Sequence, residues 1–133
     1  MSESKLVIEN FKNEVEHCYY NNSNFLHNLN GPAYIVFEYF DGNLTKMEER
    51  YFVNGNLHKE EGPAIIEYYL NGRIKYEVYY CYNMIHNSIG PAHIRYSAIG
   101  EIISKNYFIN GCMLPTVTDN ESLKRYIKLN NID

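Results

Sequence analysis

The 133-residue sequence has no tryptophan, and its 12 lysines and arginines are outnumbered by 16 aspartates and glutamates. A net charge of −4 argues against a reader of nucleic-acid backbone, which needs a basic patch or stripe. It also weakens attraction to anionic lipid, so a membrane surface is not the expected partner. No apolar run approaches the ~18 residues of a membrane-spanning helix, and no charged segment followed by an apolar one opens the chain. A soluble, cytoplasmic protein is expected. Cysteine is scarce as well: Cys18, Cys81 and Cys112 are an odd number without paired spacing, which fits reduced thiols rather than a disulfide frame. Also missing are a nucleophile elbow, a P-loop, a dinucleotide fingerprint and a CxxC pair. No catalytic residue, cofactor site or metal site is assigned, and the chain is read as non-enzymatic.

What the sequence does contain is a period. Leu26-His27, Leu57-His58 and Ile85-His86 precede Gly31-Pro32-Ala33, Gly62-Pro63-Ala64 and Gly90-Pro91-Ala92 by the same interval. His58 follows His27 by 31 residues, and His86 follows His58 by 28. Each Gly-Pro-Ala leads into a β-rich run, a turn at Asp41-Gly42, Asn71-Gly72 or Ile99-Gly100, and a second run closing on Gly55, Asn83 or Gly111. Asn tolerates left-handed backbone best after Gly, so these three closing positions are expected to share a positive φ. On that reading Asn83→Gly is neutral or slightly stabilising, whereas Gly55→Val costs on the order of 1 to 3 kcal/mol. Self-similarity at such a period marks a repeat architecture.

The expected fold class is all-β: a single elongated, twisted antiparallel meander of about eight strands, built from hairpin repeats, with a short C-terminal capping helix. One domain is expected at this length. Ala33, Ile35 and Phe37 align with Ala64, Ile66 and Tyr68 and with Ala92, Ile94 and Tyr96, the period-two pattern of a strand with one buried side. The opposite face is expected to be wetter. Second strands are expected at about 45–53, 73–81 and 101–109, with Asp41-Gly42 and Asn71-Gly72 as two-residue hairpin turns. The longer first unit suggests a bulge there. Residues 4–20 read as a degenerate N-terminal hairpin, with Tyr20 aligned on Tyr51, Tyr79 and Tyr107 and Asn24 on Gly55. The repeats proper span 21–113. Beyond Gly111 the pattern stops, Leu114 standing where His is due. Thr118 and Glu121 then read as the capping box of a helix within 118–130, with Leu123, Tyr126 and Ile127 on one face to cover the last strand or a sheet face.

Histidine can ligate metals and transfer protons, which draws attention to His27, His58 and His86. Equivalent strands two ladder steps apart lie roughly 9 to 10 Å from each other, too far for shared zinc ligation. A once-per-unit residue is read instead as one that satisfies a turn. It joins Gly31, Pro32, Gly42, Gly55, Gly62, Pro63, Gly72, Asn83, Gly90, Pro91, Gly100 and Gly111 as a residue that builds the unit. The Gly-Pro-Ala sites are not phosphate cradles, because Pro removes a backbone donor.

The run Leu57-His58…Gly62-Pro63-Ala64…Asn71-Gly72…Glu77-Val78-Tyr79 resembles the MORN class. It is closer to the MORN-like repeats with a Leu-His…Gly-Pro-Ala…Tyr…Asn-Gly pattern associated with large DNA viruses and some bacterial proteins. The resemblance covers roughly residues 20–113. It implies an elongated antiparallel sheet of hairpins serving as a scaffold, a dimerisation module or a lipid-binding surface, and, for a viral chain, a place in the host-cell cytoplasm or the virion. The function expected is protein–protein interaction or scaffolding with an unidentified protein, homodimerisation included. The expected surface is aromatic: Tyr51, Phe52, Tyr69, Tyr79, Tyr80, Tyr107 and Phe108. Two alternatives are lipid binding by analogy to MORN, and glycan or small-ligand binding on the Tyr/Asn-rich sheet.

Overall fold

Asp41 and Gly42, at φ of 53° and 80°, make one of a series of tight turns from which the whole sheet is built. The computed structural model describes residues 3–132. The chain opens with a hairpin of β1 (Lys5–Asn10) and β2 (Glu14–Tyr20). Each later unit supplies two long strands and then a two-stranded ribbon. The first unit has β3 (Tyr34–Phe40), β4 (Asn43–Arg50), β5 (Phe52–Val53) and β6 (Asn56–Leu57). The second has β7 (Ile65–Tyr68), β8 (Ile74–Val78), β9 (Tyr80–Cys81) and β10 (Met84–Ile85). The third has β11 (His93–Tyr96), β12 (Ile102–Asn106), β13 (Phe108–Ile109) and β14 (Cys112–Met113). The helix α1 (Asn120–Leu129) follows. The long strands form one eight-stranded antiparallel sheet in the order β1-β2-β3-β4-β7-β8-β11-β12, a meander in which each is paired to its predecessor in the chain.

The second strand expected of each unit is broken. At Tyr51 and Tyr79 the chain leaves the sheet, each N–H donating to the Ala64 or Ala92 carbonyl of the next unit at 2.7 and 2.8 Å, and the following residues fold into the ribbon. Ala33, Ala64 and Ala92 are fully buried at this junction.

The expectation of one buried and one wet face does not hold. Ile35, Phe37, Ile66, Tyr68, Ile94 and Tyr96 are half-buried, while Val36, Ile65 and Val78 on the opposite face are buried. A single-layer sheet has no second layer over either side, so burial there comes from cross-strand neighbours.

One further reading is extended and two are corrected. The bulge expected of the first unit is present and recurs in the two later units, with register shifts at Val36/Phe37, Glu67/Tyr68 and Arg95/Tyr96. Asn71-Gly72 is not a two-residue turn: the Tyr69 N–H donates to the Arg73 carbonyl and the Gly72 N–H to the Tyr69 carbonyl, closing a loop of three residues in which Gly72 is left-handed. The repeat position assigned to Tyr20 belongs to Tyr19. The Tyr19 N–H donates to the Ala33 carbonyl as Tyr51 does to Ala64, and the His27 N–H returns to the Tyr19 carbonyl as His58 returns to Tyr51. The first turn carries one extra residue, which shifts everything before it by one.

The helix covers the ribbon end of the last unit. Tyr107, Ile109, Leu114, Val117 and Leu123 form one buried cluster, with Tyr126 and Ile127 packed against it. Its capping box is Asp119 with Ser122, not Thr118 with Glu121: the Asp119 carboxylate accepts from the Ser122 N–H at 2.7 Å and the Ser122 hydroxyl accepts from the Asp119 N–H. Hydrogen bonding first from the Ser122 backbone N–H and then from the Ser122 side chain holds the Asp119 carboxyl below its ordinary value. The outer strand β12 is left uncovered, with Ile102 and Ile103 exposed.

Candidate interaction surfaces

Each recurring histidine accepts a backbone proton from the next unit. Nδ1 of His27 takes the Asn54 N–H at 2.9 Å, His58 the Tyr82 N–H at 3.3 Å, and His86 the Asn110 N–H at 3.0 Å. Those donors open the ribbon turns Asn54-Gly55, Tyr82-Asn83 and Asn110-Gly111, whose φ values are 48° and 84°, 43° and 68°, and 48° and 83°. Both positions left-handed is the type I′ geometry of two-residue hairpins. A second bond joins the same pieces: the Gly55, Asn83 and Gly111 N–H groups donate to the Leu26, Leu57 and Ile85 carbonyls at 2.8, 2.9 and 2.8 Å. Histidine therefore fastens one unit to the next. Leu114 takes the place of a fourth histidine and lies in the helix cluster instead.

Where the turn closes on Gly, the facing residue of the preceding unit is large. A Cβ on Gly55 would lie 3.0 Å from Phe25 Cδ1, and one on Gly111 would lie 3.9 Å from Met84. Asn83 faces Asn56, with Nδ2 donating to Asn56 Oδ1 at 2.8 Å, while its own Oδ1 accepts the Leu57 N–H at 2.7 Å.

The loop after His58 differs from its two counterparts. Asn28 and Asn87 brace theirs by donating to the Pro32 and Pro91 carbonyls at 3.1 and 3.0 Å. The second unit has Lys59 there, and Gly62 turns at φ 103°. Clefts of about 530 and 640 Å³ flank this loop, both lined by His58, Lys59, Glu60 and Glu61. The His58 ring stacks on Tyr82 with centroids 3.9 Å apart. With Nδ1 accepting, a neutral His58 carries its proton on Nε2. That atom is buried without a hydrogen-bond partner among the described residues, and the nearest carboxylate oxygen, on Glu60, is 3.7 Å away, beyond hydrogen-bond range.

The sheet faces carry tyrosine–glutamate pairs between neighbouring strands. The Tyr34 hydroxyl donates to Glu16 at 2.7 Å, Tyr96 to Glu77 at 2.6 Å, and Tyr68 to Glu49. Burial first, and then the adjacent carboxylate, raises the phenols of Tyr34, Tyr68 and Tyr96, and pushes Tyr76 beside Glu67 up to about 12.

The aromatic surface expected from sequence is mostly occupied in packing. Tyr107 lies beneath the helix at 2 % exposure, donating its hydroxyl to Asn120 at 3.1 Å, so it is withdrawn from any surface. Tyr51, Phe52, Tyr69, Tyr79, Tyr80 and Phe108 are half-buried. One group of exposed large apolar residues stands elsewhere. All four long hairpins turn at the same end of the sheet, opposite the Gly-Pro-Ala loops, and there Phe11, Tyr39, Phe40, Leu44, Leu70 and Ile99 stand exposed. The tips are tied in two pairs: the Tyr39 N–H donates to the Asn13 carbonyl at 3.0 Å, and the Arg73 guanidinium to the Ile99 carbonyl at 2.9 Å. Sequence reasoning missed this rim because Phe11, Tyr39, Phe40 and Leu70 read as ordinary strand residues and Ile99 as part of a turn; the meander topology is what lines them up.

Among the described residues no cluster of His, Cys, Asp or Glu is arranged to hold a metal ion, and no helix is long and apolar enough to cross a membrane. No known family, curated protein or solved structure matches the chain.

Proposed function

We propose that the chain is a MORN-like β-repeat module, without catalytic chemistry of its own, that binds another protein through the apolar rim of hairpin tips. The observation that carries this reading is the rim itself: six large apolar side chains exposed along one end of a sheet whose tips are hydrogen-bonded in two pairs. Large apolar side chains grouped on one exposed edge mark a candidate interaction site, and aromatic anchors that become buried dominate interface energetics. Held in place beforehand, the rings lose little further freedom on binding. Pull-down from the source cells with the parent and with Phe40→Asp/Ile99→Asp tests it. The parent should retain a partner that the variant loses, with identical circular dichroism and melting. Retention of the same partners by the variant would remove the rim from the function.

Small-ligand binding is a second reading, favoured by the clefts around His58 and its unsatisfied Nε2–H. A sugar hydroxyl accepts from such a donor and can give its own proton to Glu60. A glycan array probed with the parent and with His58→Asn, which keeps an acceptor near the Tyr82 N–H but lacks the Nε2 donor, tests it; equal profiles would dismiss the site.

A further inference from the structure

We infer that two copies of the chain pair edge to edge through β1, antiparallel, about a two-fold axis at Val7. The inference rests on the reading of the chain as an interaction module and names one partner, a second copy of itself, at a surface distinct from the tip rim. β1 is the terminal strand of the sheet, and five of its six residues are exposed, Val7 alone being half-buried. Its outer backbone groups form an open ladder of the kind that recruits another strand. Proteins that resist such pairing blunt the edge with a bulge, a proline or an unmatched charge. β1 has no proline, and its pairing with β2 runs without a register shift.

The charges on β1 match themselves. Residues directly opposite in an antiparallel pair must both point their backbone groups toward the partner or both away, so a symmetric pairing must centre on a residue. Centred on Val7, it sets Lys5 against Glu9 of the second copy at both ends. It sets Leu6 against Ile8 twice and Val7 against itself. Lys5, Val7 and Glu9 share one face; Leu6 and Ile8, 41 % and 51 % exposed, share the other and would become an apolar strip continuous with Tyr19 and His17, their cross-strand neighbours. Centring on Leu6 or Ile8 loses both charge pairs. The far edge does not offer this match: self-pairing of β12 about Ser104 would set Ile103 against Lys105.

A mismatch within the single chain points the same way. Glu9 lies directly across from Glu16 in the β1–β2 ladder, and like charges in that position destabilise a sheet. Neither Glu9 nor Lys5 has an ion pair among the described residues. The partner's ammonium at position 5 would sit on the open side of Glu9, on the face that Glu16 also occupies. A six-residue edge buries less surface than a standard stable interface, so the dimer should dissociate on dilution.

Sedimentation velocity from about 1 µM to 1 mM tests this. The parent should show a reversible monomer–dimer equilibrium. Lys5→Glu or Glu9→Lys alone turns both attractive pairs into repulsive ones and should weaken association about thirtyfold. Mixed together, these two variants should form a one-to-one heterodimer, because every pair is then opposite in sign, and the double variant Lys5→Glu/Glu9→Lys should dimerise like the parent. A parent that stays monomeric at 1 mM, or a mixture no more associated than its parts, overturns the inference. If Phe40→Asp/Ile99→Asp abolishes partner capture while no self-association occurs, the rim reading stands and the β1 dimer falls. If the dimer forms while rim variants capture the same partners, the reverse holds.

Discussion

Replacing Asn83 with Gly should destabilise the protein, although its alignment with Gly55 and Gly111 suggests the opposite. At φ 68° a glycine would remove a small backbone cost, since Asn bears left-handed geometry better than most residues. Glycine also loosens the unfolded chain, at about 0.5 to 1 kcal/mol, and these two effects roughly cancel. What remains is the side chain, which accepts from the Leu57 N–H at 2.7 Å and donates to Asn56 at 2.8 Å. A net hydrogen bond is worth about 0.5 to 1.5 kcal/mol, and these are exposed enough for water to replace them in part. A loss of about 1 kcal/mol follows, or roughly 3 to 5 °C in melting temperature for a domain of this size. Adding Asn56→Met recreates the Met84–Gly111 arrangement, in which a long apolar side chain lies over the glycine. The double variant should recover part of the loss, giving a favourable coupling of about 0.5 kcal/mol in a double-mutant cycle. Thermal melts followed by circular dichroism measure all four proteins. An Asn83→Gly variant that melts at or above the parent would refute the role given to the side chain, and strict additivity would refute the pairing of turn and cover.

Gly55→Val should cost more than backbone strain alone, about 2 to 4 kcal/mol, because its Cβ would meet Phe25 at 3.0 Å as well as sitting at φ 84°; a melt within error of the parent would contradict it. His86→Ala should lose about 1 kcal/mol while His86→Asn, which keeps an acceptor for the Asn110 N–H, loses less; equal melting of the two would deny the acceptor role. Leu123→Ala should cost about 2 to 4 kcal/mol, since its side chain is fully buried in the helix cluster, and a urea midpoint close to the parent's would contradict that. Alkaline pH should unfold the sheet: the raised phenols of Tyr34, Tyr68, Tyr76 and Tyr96 keep protons that the unfolded chain releases near pH 10. The stability they support is thus complete below that pH and declines as pH rises above it. Tyrosinate absorbance should show a late fraction appearing together with loss of the sheet; one transition near pH 10 with the sheet intact would count against it.

The architecture was legible because Leu-His and Gly-Pro-Ala are local: the interval between His58 and Gly62 stays fixed in all three units, whatever happens elsewhere. The register of the first hairpin was not. An inserted residue between Tyr20 and Leu26 changes nothing downstream, so aligning Tyr20 with Tyr51 looked as good as aligning Tyr19. The choice of cap failed for a related reason, since Thr118 and Asp119 are both good N-cap residues and only the path of the chain after Val117 decides between them. The alternation of Ala33, Ile35 and Phe37 was real but answered the wrong question. It distinguishes two faces, and in a sheet one layer thick both are partly covered. The apolar rim was the least legible part, because it mixes two repeat positions, Tyr39 with Leu70 and Phe40 with Ile99, that read as strand and turn residues; the order of strands in space brings them together.

The bonds from His27, His58 and His86 run in one direction along the chain, each from a unit to the turn of its successor, and Leu114 ends the series. The array is therefore polar, like a filament with unlike ends. Its C-terminal end is closed by side chains of α1 that no further ribbon could engage, whereas every earlier junction presents the same acceptor to whatever turn comes next. A copy of one 28-residue unit placed between the second and third would find a histidine waiting behind it and a turn waiting ahead. It would widen the sheet by two strands, roughly 9 to 10 Å, without altering either terminus. Length in this fold is a quantity that duplication can set freely, and Leu114, packed under α1, stands where the next histidine acceptor would be.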